Sequence, residues 1–249
     1  MVDVDAATVQ SDALQWHGLL LTGAWCAFAS VLMIVIQMGN YLLWPPPQST
    51  AGFFDLLLAN PTHGLLALDV LYIVSNALAY LVYLALAVVL WRVNRSAVVV
   101  ALAFLVVGIA AYMASPRAVE MLMLAHSYSA ADAATRTALL AAGDGMIATW
   151  TGTAFDVYYF FTFVTLLVLA ILMLRSSIFS RATAVWGLAG AALMVVPSNF
   201  GPVGLAFAIA SLAPWGVFAA LVGRRLLQLA RPATSSSATP TPGSPSRDL

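Results

Sequence analysis

The pattern of apolar and polar positions along the chain predicts six membrane-spanning helices. Six stretches are apolar over about 20 residues or slightly fewer, the length that crosses a hydrocarbon core about 30 Å thick. They cover residues 18–43, 64–91, 97–114, 149–174, 182–196 and 203–222. The fifth is the shortest, because Pro197 and Pro202 interrupt any helix before the sixth begins. The predicted fold class is therefore all-α, an integral membrane bundle of six transmembrane helices.

The segments between the spans predict short external helices and a C-terminal tail. The external segments are 44–63, 115–148 and 197–202. Apolar runs at 53–58 and 119–124 are typical of short helices in the membrane interface, and the alanine-rich stretch 130–142 predicts an exposed helix that Gly143 ends. We expect residues 1–17 to be a cytoplasmic N-terminal segment and 18–225 to form the transmembrane domain. Residues 226–249, rich in Ser, Thr and Pro, predict a disordered cytoplasmic tail.

The distribution of arginines predicts the orientation, because short cytoplasmic loops of membrane proteins accumulate positive charge. In a topology with six spans, seven arginines lie on the same side of the membrane: Arg92, Arg95, Arg175, Arg181, Arg224, Arg225 and Arg231. The opposite segments carry only Arg117 and Arg136, together with several acidic residues. We therefore expect a multi-pass protein of the bacterial cytoplasmic (inner) membrane with both termini in the cytoplasm.

Composition narrows the classes of partner. Of the 249 residues, 62% are apolar and only 8% are charged, so the lipid bilayer is the expected environment. Ten basic and ten acidic residues cancel, and every basic residue is arginine, which excludes the basic surface of a nucleic-acid-binding protein. A single cysteine, Cys26, excludes an intramolecular disulfide and a cysteine metal cluster. Nothing in the sequence indicates an oligomeric state.

Two carboxylates at membrane depth, Asp69 and Asp156, are the leading candidate functional residues, since charged groups are costly there. Each lies early in an inward-running span, so both should sit at similar depth. Polar residues at helical spacing accompany them and predict one outward-facing polar cavity. The candidate cavity residues are Gln37, Asn40, Asp69, Tyr72, Asn76, Thr153, Asp156 and Tyr159. Trp16, Trp44, Trp91 and Trp150 fall at span ends, which is typical of interface anchors.

Several interpretations of these polar residues are open at this point. The two carboxylates can be structural, hydrogen-bonded to Tyr, Thr and Asn between helices. They can instead line a cavity that binds a small molecule, a lipid headgroup or an ion, which is the function the sequence favours. A metal-dependent hydrolase is the alternative, with a divalent metal as its cofactor and with candidate ligands His63, Asp69, His126 and Asp156. A proton-coupled transporter is a third. No ordered metal motif identifies a cofactor, and the sequence favours binding over catalysis.

One part of the chain resembles a known family. The matching segments are 114–115, 121–124, 127–128, 130–131, 138–143, 152–155, 173–176 and 178–180. In these segments the chain resembles the bacterial membrane family designated domain of unknown function 4386. The resemblance implies a polytopic bacterial membrane protein and brings no activity with it. It directs attention to the external segment 115–148 and to the beginning of the fourth span.

Overall fold

A computed structural model describes residues 15–231, and every regular element in that range is a helix. The helices are α1 (His17–Leu43), α2 (Thr50–Ala59), α3 (Pro61–Ala67), α4 (Val70–Leu90), α5 (Arg95–Met113), α6 (Ala118–Ala130), α7 (Ala133–Trp150), α8 (Thr153–Arg175), α9 (Arg181–Leu193) and α10 (Gly201–Ala230). The all-α prediction is confirmed for this part of the chain. Residues 1–14 and 232–249, which include most of both predicted terminal segments, lie outside the described residues.

Five helical regions are long and apolar enough to cross a membrane, which supports a multi-pass membrane protein. They are His17–Leu43, Val70–Leu90, Arg95–Ala130, Ala133–Arg175 and Gly201–Ala230. The last of them reaches Ala230, so residues 226–230 are helical although the sequence assigned them to the tail. Exposed leucine, valine and phenylalanine side chains cover much of the outer surface of these helices, as contact with lipid requires.

The predicted count of six spans is not confirmed. The fifth predicted span corresponds to α9, which has 13 residues and a rise of about 20 Å, less than the bilayer core. Its helix ends at Leu193 because Pro197 has no backbone N–H and favours an extended residue before it. Residues 194–200 therefore continue as turns until Gly201 begins α10 with a positive φ of 66°.

The chain from α8 to α10 runs along the full length of α8. Near the C-terminal end of α8, Arg225 Nε donates a 2.7 Å hydrogen bond to the carbonyl of Ile178. At the opposite end, Asn199 Nδ2 lies 2.8 Å from both the carbonyl of Thr151 and a carboxylate oxygen of Asp156. Because Asp156 is in the first turn of α8, the segment 178–199 passes from one end of the bundle to the other.

One hydrophobic core joins α1, α4, α5, α8, α9 and α10. Small residues let α1 approach two neighbours closely: Gly23 faces Ala85 of α4, and Gly223 of α10 faces Ala24 and Ala27. A Cβ added at Gly223 would lie 3.1 Å from the carbonyl oxygen of Ala24 and 3.1 Å from Ala27 Cβ. Close contact between small residues is a main source of helix association in lipid, where the hydrophobic effect is absent.

A second core forms a cap over one end of this bundle, built from α2, α3, α6 and α7. Phe54 and Leu57 of α2 are fully buried against Met121 and Ala125 of α6. Asp132 caps α7 by accepting the Thr135 N–H at 2.8 Å, and this hydrogen bond lowers the pKa of the Asp132 carboxyl.

The sequence predicted that Gly143 ends a helix, and this prediction was wrong, because α7 continues to Trp150. Glycine is needed there for packing: a Cβ at Gly143 would collide with the Thr50 side chain and would lie 3.0 Å from Phe54 Cζ. Thr50 also donates a hydrogen bond to Asp144 in the next position. The absence of a side chain at Gly143 therefore lets α7 pack directly against α2, and α7 continues for two more turns.

We expect Gly223→Leu to lower the free energy of unfolding by about 2 kcal/mol, because the new side chain has no room against α1. Gly216→Leu is the matched control on the same helix, since a Cβ at Gly216 meets no atom within 4 Å. Thermal unfolding in detergent, followed by tryptophan fluorescence, measures both. Equal losses of stability in the two variants would contradict the close α1–α10 contact.

Candidate functional site

Asp69 lies in a break between α3 and α4 rather than inside a continuous span. Its φ of 65° makes it the one non-glycine residue with a left-handed backbone among residues 15–231. Asp tolerates this conformation better than most residues, and the conformation ends α3 before α4 begins. Although Asp69 is the N-cap of α4, its side chain makes no capping hydrogen bond. The carboxylate is 8% exposed and turns to partners on other helices.

Three aromatic side chains from three different helices donate hydrogen bonds to this carboxylate. Tyr41 Oη of α1 lies 3.0 Å from Oδ1, while Trp150 Nε1 of α7 and Tyr112 Oη of α5 lie 2.9 and 3.4 Å from Oδ2. The indole N–H can only donate, so Oδ2 accepts from it. The two tyrosine hydroxyl groups complete a set of three aromatic partners around the carboxyl group. The interaction joins the cap to the bundle.

Tyrosine and phenylalanine rings surround the Asp69 site. Tyr72 packs edge-to-face on Tyr112 with 5.1 Å between ring centroids, and its hydroxyl lies 3.1 Å from the hydroxyl of Tyr158. Phe155 and Tyr159 continue the cluster at 5.0 Å. Such pairs are stabilising beyond their buried area and fix the ring orientations. The cluster therefore presents several rings and hydroxyl groups at defined positions beside one carboxylate.

A cavity of about 560 Å³ begins at this cluster and extends between α1, α4, α8 and α10. Its polar lining comes from Gln37, Tyr41, Gln48, Asp69, Tyr72, Ser75, Asn76, Tyr83, Tyr158, Tyr159, Thr162, Ser198, Ser211 and Trp215. The remaining lining residues are apolar, and Asp69 is the one charged residue among those that line the cavity in the described chain. The size suits an organic molecule.

The cavity opens at the surface between the second half of α1 and the first half of α10. Leu42 is 77% exposed, and Leu205 and Ile209 are 53% and 49% exposed, yet all three also line the cavity. The two helices pack closely in their other halves, at Ala24 and Gly223. The two helices form a wedge, and exposed apolar side chains border its open part.

The structure brings together five of the eight predicted cavity residues: Gln37, Asp69, Tyr72, Asn76 and Tyr159 line the cavity. The other three, Asn40, Thr153 and Asp156, are not among its lining residues. The Asp156 carboxylate accepts a hydrogen bond from Asn199 instead. The two carboxylates therefore occupy different surroundings, because the left-handed turn at Asp69 directs its side chain toward α1, α5 and α7.

Sequence reasoning missed Tyr112 and misassigned Trp150. Trp150 is more than an anchor at a helix end, since its indole N–H binds Asp69 and its carbonyl accepts a 2.6 Å hydrogen bond from Ser115. Its position at a predicted span end explains the misassignment, because indoles are common there. Tyr112 lies near the end of α5 and is fully buried. A tyrosine near the end of a predicted span gives no sign in the sequence that it will be buried.

The four predicted metal ligands are dispersed. His63 packs edge-to-face against Trp44 at 5.6 Å, and His126 is exposed on α6. Within residues 15–231, no group of three His, Cys, Asp or Glu side chains lies close enough to hold a metal ion. The Asp69 oxygens accept hydrogen bonds from Tyr41, Tyr112 and Trp150. The divalent metal stays a prediction without a ligand set in the described chain.

No protein-family model, curated protein or solved structure matches this chain. The resemblance to the family designated domain of unknown function 4386 therefore stays a prediction.

We expect Asp69→Ala to destabilise the protein by about 3 kcal/mol or more, because it leaves three buried donors without their acceptor. Asp156→Ala removes the same group from a partly exposed position with one side-chain donor, and we expect a loss of about 1 kcal/mol. Thermal unfolding of the two variants in the same detergent makes the comparison. A larger loss for Asp156→Ala would show that Asp69 does not hold the cap.

Proposed function

We propose that this chain is a multi-pass protein of the bacterial cytoplasmic membrane whose outward-facing cavity binds a small organic molecule or a lipid headgroup. The observation that carries the proposal is the cavity itself. It combines an apolar wall, a lateral opening and a cluster of hydroxyl, amide and carboxylate groups at one end. Most binding sites for organic ligands combine an apolar lining with a few fixed polar groups in this way.

Unused hydrogen-bonding capacity beside the cavity also favours binding. Asn76 is buried and donates one amide hydrogen to the carbonyl of Tyr72 at 3.0 Å. An amide side chain has two hydrogens and a carbonyl oxygen, so further capacity remains next to the cavity. Gln37 and Ser75 add polar atoms to the same wall. A ligand with a polar head can use these groups where an acyl chain cannot.

Six crossings, with both termini in the cytoplasm, are the topology we propose. The support is the path of residues 178–199 along α8, from the end near Arg225 to the end near Asp156. In this crossing, α9 forms the first part and the turns at 194–200 form the rest. Arginine positions in the turns after α4 and α8 and at the end of α10 favour that end as cytoplasmic. The cavity and the cap then lie toward the outside.

A metal-dependent hydrolase and a proton-coupled transporter are less well supported. For the hydrolase, the predicted ligands do not come together in the described chain. For the transporter, the relevant feature is Pro214, which interrupts the hydrogen bonding of α10 between the cavity residues Ser211 and Trp215. A proline next to a cavity permits movement of a helix but does not require it, so binding is the function we retain.

Filling the cavity should remove the bound molecule. In native mass spectrometry of protein extracted in a mild non-ionic detergent, we expect the wild type to retain a co-purified amphiphile. Ala208→Phe places a large ring in the cavity wall, and we expect it to retain at least about tenfold less, equivalent to about 1.4 kcal/mol of binding free energy. Ala206→Phe is the control, because Ala206 is exposed on the same helix and does not line the cavity. Equal retention by both variants, or no adduct on the wild type, would contradict the proposal.

The sixth crossing can be tested with single cysteines in a Cys26→Ala background. A membrane-impermeant maleimide added to intact cells should label Phe200→Cys and the cap position Ser129→Cys, but not Ser177→Cys. All three positions are exposed in the structure, so differences in labelling report their side of the membrane. Labelling of Ser177→Cys after lysis is the control for reactivity. The same labelling of positions 177 and 200 in intact cells would rule out a crossing between them.

A further inference from the structure

Among the described residues, the cavity lining holds one acidic side chain and no basic side chain. Asp69 is the one charged residue among the lining residues of the described chain. Its three hydrogen-bond partners are neutral aromatic side chains, which stabilise the anion without cancelling its charge. A charge of this kind near the membrane interior is costly, and such residues usually have a partner. The described lining residues supply no cation, so the missing counter-charge points to a ligand.

The rings next to Asp69 add a second feature that favours a cation. Tyr72, Phe155, Tyr158 and Tyr159 all line the cavity, and their centroids lie 5 to 6.3 Å apart in the Phe155–Tyr159 and Tyr72–Tyr158 pairs. The faces of aromatic rings attract organic cations, and the attraction strengthens where water is excluded. A carboxylate beside several aromatic rings is thus suited to a large, weakly hydrated cation better than to a small metal ion.

The apolar residues of the cavity lining indicate the kind of group to which the cation is attached. Ile34 and Met38 of α1 line the cavity together with Leu205 and Ile209 of α10. These side chains are apolar and two of them are about half exposed, so the opening excludes a strongly hydrated ligand and accepts a hydrophobic body. The cavity lining therefore combines the Asp69 site with an apolar border at the opening.

We infer that the cavity binds amphipathic organic monocations, with the cationic group at Asp69 and the aromatic cluster and the hydrophobic part toward the gap between α1 and α10. This inference rests on the proposed binding function and specifies its ligand class. Because the opening is bordered by lipid-facing residues, the ligand reaches the cavity from the bilayer. An anion of the same shape is rejected, since it meets the Asp69 carboxylate without a counter-charge.

Two ions of similar shape and opposite charge test the inference. Tetraphenylphosphonium and tetraphenylborate are titrated into the protein in phosphatidylcholine nanodiscs, and binding is measured by equilibrium dialysis against empty nanodiscs. We expect the phosphonium to bind the wild type at least about tenfold more tightly than the borate. Asp69→Asn keeps the size of the side chain and removes its charge, so this preference should disappear. Asp156→Asn is the matched control and should retain it.

A variant that leaves Asp69 in place covers the case in which Asp69→Asn does not fold. Ala208→Phe should abolish phosphonium binding, while Ala206→Phe should bind like the wild type, which locates the bound cation in the cavity. Phosphonium binding that is unchanged in both Asp69→Asn and Ala208→Phe would overturn the inference.

The outcomes also separate this inference from the proposed function. Equal binding of the two ions, lost in Ala208→Phe, would overturn the preference for cations and leave a cavity that binds amphiphiles. Binding of neither ion by a protein that still carries a co-purified amphiphile would likewise overturn the cation assignment alone. If the protein binds neither ion and carries no co-purified amphiphile, both proposals are overturned.

Discussion

The buried carboxylate of Asp69 is the interaction on which the arrangement of this protein depends. A buried carboxyl group at that depth needs hydrogen-bond partners, and Tyr41, Tyr112 and Trp150 supply them. These donors belong to α1, α5 and α7, so one side chain fixes the bundle and the cap relative to each other. The left-handed backbone at Asp69 makes this geometry accessible, because it ends α3 and turns the carboxylate away from the N-terminus of α4.

The cavity follows from two departures from regular helix packing. In the first, α1 and α10 touch through small residues at Ala24, Ala27 and Gly223 and separate in their other halves. In the second, α9 ends at Leu193, and the turns after it bring Ser198 to the cavity wall. The short helix that weakened the prediction of a span is therefore part of the site.

The combination of charge and shape gives the cavity its proposed selectivity. One carboxyl group lies beside aromatic rings in the cavity wall, and apolar side chains border the opening. Hydrophobic burial and attraction between a cation and the rings then act on different parts of one ligand. Pro214 lies in the wall between Ser211 and Trp215, where a change in the bend of α10 would alter the width of the opening.

The sequence by itself determined the helical class, the multi-pass character and five of the 26 residues that line the cavity, because long apolar runs and the helical spacing of Asp69, Tyr72 and Asn76 are local properties of the chain. Only the tertiary structure decided which helices supply the partners of Asp69. Tyr112 and Trp150 are distant from it in sequence, and no periodicity within one helix encodes a contact between helices. The separation of Asp69 from Asp156 was also a tertiary property, since matched depth in two spans does not fix the direction in which each side chain points. The continuation of α7 past Gly143 was decided in the same way, because the packing of this glycine against Thr50 and Phe54 of α2 is a contact between helices and not a local helix propensity.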